Sequence, residues 1–254
     1  VGDWAEFDWD WDGDGTDELN QDRDHNDANE IDTNNVDTDG PGASITETGS
    51  GSGNWQDPLY DEAGNMYSGP KPGDEPAAAS RQFYVYDAWN RMVEVWEDTN
   101  GDGDKDAEET DTQILACEYD GLHRRVEKTD KTGASDVTYH YYYNTAWQVL
   151  EIRKDAATDP LKQYVWCQRY IDAPIVRWYD ANEDGDMADA NEEIFYLYDG
   201  NFNVTAVASD YDSPTTFILE RYHYDPYGRV TVLNADWSAD ADNVSDYDNE
   251  ILYC

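Results

Sequence analysis

Apolar and polar residues alternate in short runs over most of the chain from residue 60 onward. Period-two patterns bounded by Asp, Asn, Gly and Pro are typical of β-strands joined by turns. No segment of comparable length shows a 3.6-residue apolar stripe. We therefore predict an all-β chain with an antiparallel meander of hairpins over residues 60–235. The alternating runs are FYVY (83–86), MVEVW (92–96), TQILACEY (112–119), RVEKT (125–129), EEIFYLY (192–198), NVTAVAS (203–209), ILERYHY (218–224) and RVTVL (229–233).

A short phrase that opens on Tyr followed by Asp or Asn recurs between these runs, with copies starting at residues 60, 86, 119, 143, 198 and 224. Asp in the first turn position favours a type I turn, and a fourth residue that tolerates the left-handed region suits a bulged hairpin. The repeated Asp is therefore predicted to form turns rather than to act in catalysis. The fourth-position residues are Gly64, Asn90, His123, Trp147, Phe202 and Gly228.

The composition limits the partners of the chain. Its 58 Asp and Glu against 16 Lys and Arg give a formal net charge of -42. Nucleic acids and anionic membranes need a basic face, so neither is a predicted partner. The 20 Tyr and 10 Trp oppose general disorder. No run of about 18 apolar residues is present, so no membrane span is expected. Divalent cations are the expected means of offsetting the self-repulsion, with high external salt as the alternative.

One acidic insert matches the twelve-residue calcium loop, which needs six to eight oxygen ligands around one hard cation. Asp98, Asn100 and Asp102 stand at positions one, three and five, and Gly103 is the turning residue at position six. The later ligands are predicted to be the Asp104 carbonyl, Asp106 at position nine and Glu109 as the bidentate twelfth ligand. Because strands rather than helices flank the insert, the sequence predicts an ion-stabilised hairpin tip.

Two further inserts resemble this loop more loosely. One runs from Asp180 to Glu192 and has one extra residue, so that Asp189 and Glu192 take the later roles; the other, DWDGDGTDEL, lies near the N-terminus and lacks a good twelfth ligand. The predicted ligands are Asp180, Asn182, Asp184, Asp186, Asp189 and Glu192 in the first, and Asp10, Asp12, Asp14 and Glu18 in the second. The acidic run 236–250 has no Gly and is interpreted as solvated surface.

These patterns divide the chain into three parts. Residues 1–56 are an acidic segment with a candidate ion loop and a Gly/Ser/Thr linker, residues 57–235 the β-sheet domain, and residues 236–254 an acidic C-terminal segment. The opening Val1 and the abrupt end at Cys254 suggest a piece of a longer polypeptide.

Cysteines and glycosylation sequons give weaker signals. Cys117 and Cys167 are predicted to be small buried side chains, with a disulfide between them as the alternative, and Cys254 completes an odd count. Asn203-Val-Thr and Asn243-Val-Ser match the N-glycosylation sequon, a pattern that often arises by chance.

Several phrases resemble the Tyr-Asp (YD, or Rhs) repeat family, and the likeness runs from about residue 2 to the end. They are YVYDAWNRMVEV, EYDGLHRRVEKT, QYVWCQRYIDAPIVRW, RYHYDPYGRVTVL and NQDRDHNDANEID. The resemblance implies a β-sheet that spirals into a hollow or closed shell in large secreted or surface-displayed proteins. Some members enclose a C-terminal toxin and cleave themselves within a downstream segment rich in Gly, Arg and Asp-Pro. The sequence reaches Cys254 before any such segment, and about six units are too few to close a large shell.

The leading functional hypothesis is a structural, extracellular, calcium-binding β-repeat protein that self-associates into a filament or surface layer through its open sheet edges. The alternative is a fragment of an Rhs-type shell or adhesion module that binds carbohydrate or a protein partner, or encloses a toxin. No enzymatic activity is predicted, because the four His lack a nucleophile motif and no pair of carboxylates stands out as acid and base.

Overall fold

Seventeen β-strands and no helix make up the part of the chain that the structure describes, as the alternating pattern predicts. The computed structural model describes residues 58–72, 80–106, 110–209, 217–224, 228 and 230–252, together with the backbone of residues 6–9, 19–23 and 45–48. Within these residues no helix is long and apolar enough to cross a membrane.

The strands form two antiparallel sheets. A three-stranded sheet has the order β1 (Glu6–Trp9), β2 (Leu19–Arg23), β3 (Ile45–Thr48). The second sheet has fourteen strands in sequence order, which is the predicted meander. Its strands are β4 (Leu59–Tyr60), β5 (Met66–Pro70), β6 (Arg81–Tyr86), β7 (Met92–Glu97), β8 (Thr112–Tyr119), β9 (Arg125–Asp130), β10 (Val137–Tyr143), β11 (Val149–Lys154), β12 (Lys162–Trp166), β13 (Pro174–Tyr179), β14 (Glu193–Tyr198), β15 (Val204–Ala208), β16 (Ile218–Tyr224) and β17 (Val230–Asn234).

The chain divides into two compact units. The first unit contains residues 1–123 and 128–137, and the second contains residues 124–127 and 138–254. The three-part division predicted from the sequence is not tested by this partition and stays a prediction.

The repeated turns have the predicted geometry. In the turn at Asp199, Phe202 donates its N–H to the Asp199 carbonyl at 3.3 Å, while Oδ1 of Asp199 accepts the N–H groups of Asn201 and Asn203 at 2.8 and 3.0 Å. The ladder shifts register between Leu197 and Tyr198, the bulge that such a turn requires. The fourth residues have positive φ in all six copies: Gly64 81°, Asn90 58°, His123 66°, Trp147 69°, Phe202 68° and Gly228 86°.

From the second copy of the phrase onward, the Tyr links its hairpin to the one before it. Its hydroxyl donates to a backbone carbonyl just beyond the preceding turn. Tyr198 bonds Pro174 in the same way, and Trp166 takes the place of a Tyr with its indole N–H donating to Val149 O at 2.6 Å. The other pairs are Tyr86–Met66 (3.0 Å), Tyr119–Met92 (2.8 Å), Tyr143–Arg125 (2.8 Å) and Tyr224–Val204 (2.6 Å). Four of these pairs join the repeat Tyr to the sixth residue after the previous repeat Tyr.

The core of the second unit lies on one face of the sheet. Ile194, Val204 and Val207 are completely buried there, and Tyr196, Tyr222 and Val232 surround them. Tyr247, Ile251 and Leu252 from the C-terminal segment pack against this cluster. The acidic run therefore differs in part from the predicted solvated surface: carboxylates such as Asp248 are exposed, but Asn249 is buried and the backbone at Tyr247 and Asp248 bonds Arg177 of β13.

The two described cysteines are not joined to each other by a disulfide. Cys117 is buried and Cys167 is half-buried. The interpretation as small buried side chains holds for Cys117, whereas the alternative of a Cys117–Cys167 disulfide is wrong. Cys254 lies outside the described residues.

Candidate ion-binding loops

The first acidic insert is a loop between β7 and β8 that closes around two buried carboxylates. Oδ1 of Asp98 accepts the Gly101 N–H at 2.6 Å, and its Oδ2 accepts the Gly103 N–H at 2.9 Å. Gly103 has φ 84°, so the residue at the predicted turning position needs the left-handed region. Asp111 accepts the N–H groups of Thr99 and Asp106 at 3.2 and 2.6 Å. The two carboxylates hold the loop from opposite ends.

Three predicted ligands of this loop converge on one point. Nδ2 of Asn100 donates to Oδ2 of Asp102 at 2.9 Å and to Oδ2 of Asp106 at 3.1 Å. The carboxylates at positions five and nine of the calcium pattern therefore both accept from the side-chain amide at position three. The amide holds two carboxylates together that would otherwise repel each other.

The second insert repeats this plan between β13 and β14. Asp180 accepts the N–H groups of Asp184 and Gly185, both at 3.0 Å, and Glu192 accepts those of Ala181 and Asp189 at 3.1 and 2.9 Å. Nδ2 of Asn182 donates to Asp184 at 3.3 Å and to Asp189 at 2.7 Å. The extra residue in this insert is absorbed before Asp189, which takes the place of Asp106.

Comparison of the two loops reveals a carboxylate that sequence reasoning missed. Asp111 stands directly before β8, as Glu192 stands directly before β14, and both are at least 97% buried. The twelve-residue template places its twelfth ligand at Glu109, which lies outside the described residues and stays a prediction. Asp111 could have been identified by aligning the two loops on the first residues of β8 and β14, because this alignment places Asp111 opposite Glu192.

Other predicted ligands lie apart from the convergent groups or outside the described residues. Asp186 accepts the Ala188 N–H at 2.9 Å, and Asp104 donates its N–H to Asp102 at 3.0 Å. Glu109 is not among the described residues, and neither are the predicted N-terminal ligands Asp10, Asp12, Asp14 and Glu18.

The oxygen ligands that both loops contain suit a hard cation. Residues 180–192 carry six acidic residues and no basic one, and carboxylate and amide oxygens are the ligands that calcium prefers. As formed, these oxygens bond to N–H groups within the loop. Within the described residues, no group of three or more Asp, Glu, His or Cys side chains forms a metal-ligand cluster. Calcium binding therefore remains a prediction, carried by the sequence pattern and the convergence of positions three, five and nine.

Hydrogen bonds lower the pKa of the carboxylates in two of the repeat turns, at Asp61 and Asp199. The Asn203 side chain, which donates to Asp199 at 2.9 Å, and the turn N–H groups lower the pKa of Asp199 below its ordinary value of 3.8. Asn65 similarly lowers the pKa of Asp61 through a side-chain hydrogen bond. The ionised form is thus the one that the folded turn favours.

Replacing Asp199 with Asn should remove part of the acid sensitivity of the fold. A carboxylate with a lowered pKa contributes stability that is present above its unfolded pKa and is lost as the pH falls through its folded pKa, so the effect appears below about pH 4. The amide oxygen can still accept both N–H groups, as Asn144 does for Ala146 and Gln148 at 2.8 and 3.1 Å. Melting temperature measured against pH should fall less steeply in Asp199→Asn than in the parent. Asn144→Asp should show the opposite change, and equal slopes would contradict this account.

Both sequon amides already serve the fold. Nδ2 of Asn203 bonds Asp199, and Nδ2 of Asn243 donates to the carbonyl of Val230 at 3.4 Å. Glycosylation at either position stays a prediction, and it would leave one N–H on the amide nitrogen to donate such a bond.

Several aromatic side chains are exposed. Trp89 and Trp147, at the tips of repeat turns, are 66% and 55% exposed, and Trp237 is 66% exposed. An open groove of about 600 Å³ in the second unit is lined by Leu150, Trp166 and Tyr170, among others. Exposed rings and grooves of this kind can stack on sugars, so carbohydrate binding stays a prediction for this chain.

No protein-family model and no curated protein matches the chain. Among solved structures, it is similar to the crystal structure of TcdB2-TccC3-Cdc42, with 15% identity, a TM-score of 0.40 and 86% of this chain covered. It is also similar to the Tc holotoxin pore of Photorhabdus luminescens (14%, TM-score 0.39, 89% covered) and to TcdB2-TccC3 without the hypervariable C-terminal region (16%, TM-score 0.41, 94% covered). The chain spans 11%, 11% and 12% of the length of those chains, respectively.

Proposed function

We propose that this chain is a structural, non-catalytic segment of a YD-repeat wall, of the kind that the resemblance implies for secreted or surface-displayed shells. The observation that carries the proposal is the repeated bond from a Tyr hydroxyl to the carbonyl beyond the preceding turn. Tyr119–Met92, Tyr143–Arg125 and Tyr224–Val204 repeat the same contact at the same offset. Each repeat thereby satisfies a polar group of the next, which is how repeat proteins build extended surfaces.

Calcium binding by the two inserts belongs to the same proposal. An extracellular wall meets calcium at concentrations that suit weak oxygen-ligand sites. Asp98, Asn100, Asp102 and Asp106 would hold the ion in one loop, and Asp180, Asn182, Asp184 and Asp189 in the other. The bound ion would supply positive charge to a chain whose formal net charge is -42.

Edge-to-edge polymerisation, on which the filament hypothesis depends, is less favoured than a wall. β4 presents only Leu59 and Tyr60, and a two-residue strand is a poor template for pairing. β17 has most of its outward polar groups bonded to the segment that follows it. Enclosure of a toxin, which the resemblance implies for some relatives, is a finer proposal that concerns a longer polypeptide.

Sedimentation velocity in millimolar calcium tests the wall against the filament. We expect a monomer whose sedimentation coefficient does not change with protein concentration. A series of growing species would contradict the wall and support the filament or surface layer. The same sedimentation experiments with a chelator distinguish association that depends on calcium from association that needs no ion.

A further inference from the structure

The outward edge of β17 carries a row of backbone groups that would normally pair with another strand. Thr231 and Leu233 pair with His223 and Arg221 of β16, and the backbone groups of Val230, Val232 and Asn234 alternate with them and point outward. The strand reads VTVLN and carries no charged side chain. An uncharged five-residue edge rich in β-branched residues is the kind of surface that invites strand pairing.

Residues 239–243, which we call the edge cap, occupy this surface. The turn at Asn234 resembles a seventh repeat turn, with Trp237 at φ 73° donating to the Asn234 carbonyl at 3.0 Å. The chain then pairs with β17 at one position, where Asn234 donates to Ser238 O at 2.9 Å and Asp240 donates to Val232 O at 3.2 Å. This hairpin stops after a single bridge.

The side chain of Asn243 bonds the outward backbone groups of β17 that the short hairpin does not reach. Oδ1 of Asn243 accepts the Val232 N–H at 2.8 Å, and its Nδ2 donates to the Val230 carbonyl at 3.4 Å. The carboxamide of Asn243 therefore replaces one peptide group of a neighbouring strand. Asp240 bends the backbone away by accepting the N–H groups of Asp242 and Asn243 at 3.1 and 3.0 Å. The next strand is thus replaced by a short cap that offers no new edge.

We infer that the β17 edge is a strand-pairing surface for a second copy of this chain, held closed by the edge cap. Pairing of β17 with β17 in antiparallel orientation aligns the three residues from Val230 to Val232 on each side and closes as a two-fold dimer, because the outward groups of Asn234 stay bonded to Trp237 and Ser238. Pairing of β17 with the two-residue β4 would align at most two. Because the copies share one sign of charge, association is expected at high ionic strength, where repulsion is screened. The inference goes beyond the proposed wall function, which concerns the chain with its cap in place.

A variant in which residues 239–243 are replaced by Gly-Ser-Gly-Ser-Gly tests the inference and keeps the downstream contacts with the core. In 0.5 M NaCl (roughly a 4 Å screening length), we expect the full chain to sediment as a monomer and the variant to show a dimer that grows with concentration. Adding Val230→Pro to the variant should restore the monomer, because Pro removes an outward N–H without touching the β16 ladder. A variant that is folded by circular dichroism and stays monomeric would overturn the inference.

A second measurement does not depend on the linker variant. In Asn243→Ala the Val232 amide loses its acceptor, and its hydrogen exchange should become roughly tenfold faster. The Asn234 amide, which donates to Ser238, should change little. Val244→Ala is the matched control, because Val244 is 62% exposed and adjacent to Asn243. An unchanged exchange rate at the Val232 amide would show that Asn243 does not close this edge.

Polymerisation of the full chain would count against the wall proposal, whereas a monomeric linker variant counts only against this inference.

Discussion

Chelating calcium should lower the melting temperature of this protein by roughly 10–20 °C. A ligand that binds only the folded state stabilises it by about 2.7 kcal/mol when its concentration is 100 times its dissociation constant. Two loops would together contribute about 5 kcal/mol, and about 1 kcal/mol shifts the midpoint by roughly 2–4 °C in a chain of this size. Differential scanning calorimetry with calcium and with chelator, at matched ionic strength, measures the effect.

The physical reason lies in carboxylates that are buried or brought together. Asp98 and Asp180 are 7% and 5% exposed, and the acids around them have no basic residue at comparable depth in either loop. A divalent cation neutralises such a group far more effectively than bulk salt does. Magnesium, which demands a tighter octahedral shell, should give a smaller shift than calcium.

Asp189→Asn identifies the loop responsible for the effect. This residue is one of the two carboxylates held by Asn182, so its loss should remove the calcium response of the second loop and leave that of the first. Asp242→Asn is the matched control, because Asp242 is exposed and lies outside both loops. A midpoint that does not move when calcium is chelated would remove ion binding from the proposed function.

Arg177→Met should destabilise the second unit by about 3 kcal/mol. Arg177 is 1% exposed, and its Nη1 and Nη2 donate to the carbonyls of Asp248 and Tyr247 at 2.6 and 2.5 Å. Met fills much of the same volume but leaves two carbonyls without donors, at about 1–3 kcal/mol each. Urea unfolding followed by near-ultraviolet circular dichroism would report the loss, because Tyr247 packs on the tyrosine-rich core.

The surroundings of Arg177 explain why the C-terminal segment is its partner. Burial raises the pKa of Tyr196 to about 12, so this neighbouring phenol remains neutral at physiological pH. Arg177 is held instead by the backbone carbonyls of Tyr247 and Asp248, while the Asp248 carboxylate pairs with Lys162 at 2.5 Å. Arg169→Met is the control, since Arg169 is exposed and should change stability by less than about 0.5 kcal/mol. Equal losses in the two variants would contradict this role for Arg177.

Sequence reasoning anticipated the strands and repeat turns because both depend on local chemistry. Alternation placed β6 to β9 and β14 to β17 close to their observed limits, and Asp199 with Phe202 formed the predicted turn. A type I turn followed by a left-handed residue is set by four consecutive residues. The same locality explains why Asn100 and Asp102, two residues apart, lie within hydrogen-bonding distance of each other.

Features that join distant residues were harder to anticipate. The buried carboxylate of Asp111 was not anticipated. The calcium-loop template counts twelve residues from Asp98, which leads to Glu109, and does not consider where β8 begins. Asp111 has its role because it precedes that strand. The disulfide alternative failed because strand-like residues around Cys117 and Cys167 say nothing about which strands become neighbours.

The amino-acid sequence by itself determined that this chain is a meander of bulged hairpins with acidic inserts, since turn preferences and period-two burial act over a few residues. Only the tertiary structure decided what becomes of residues 236–252. Their composition indicates solvated surface, yet Asn243 closes the edge of β17, and Tyr247 and Leu252 lie on the core. Contacts such as that of Arg177 with Asp248 span 71 residues, and no local preference encodes them.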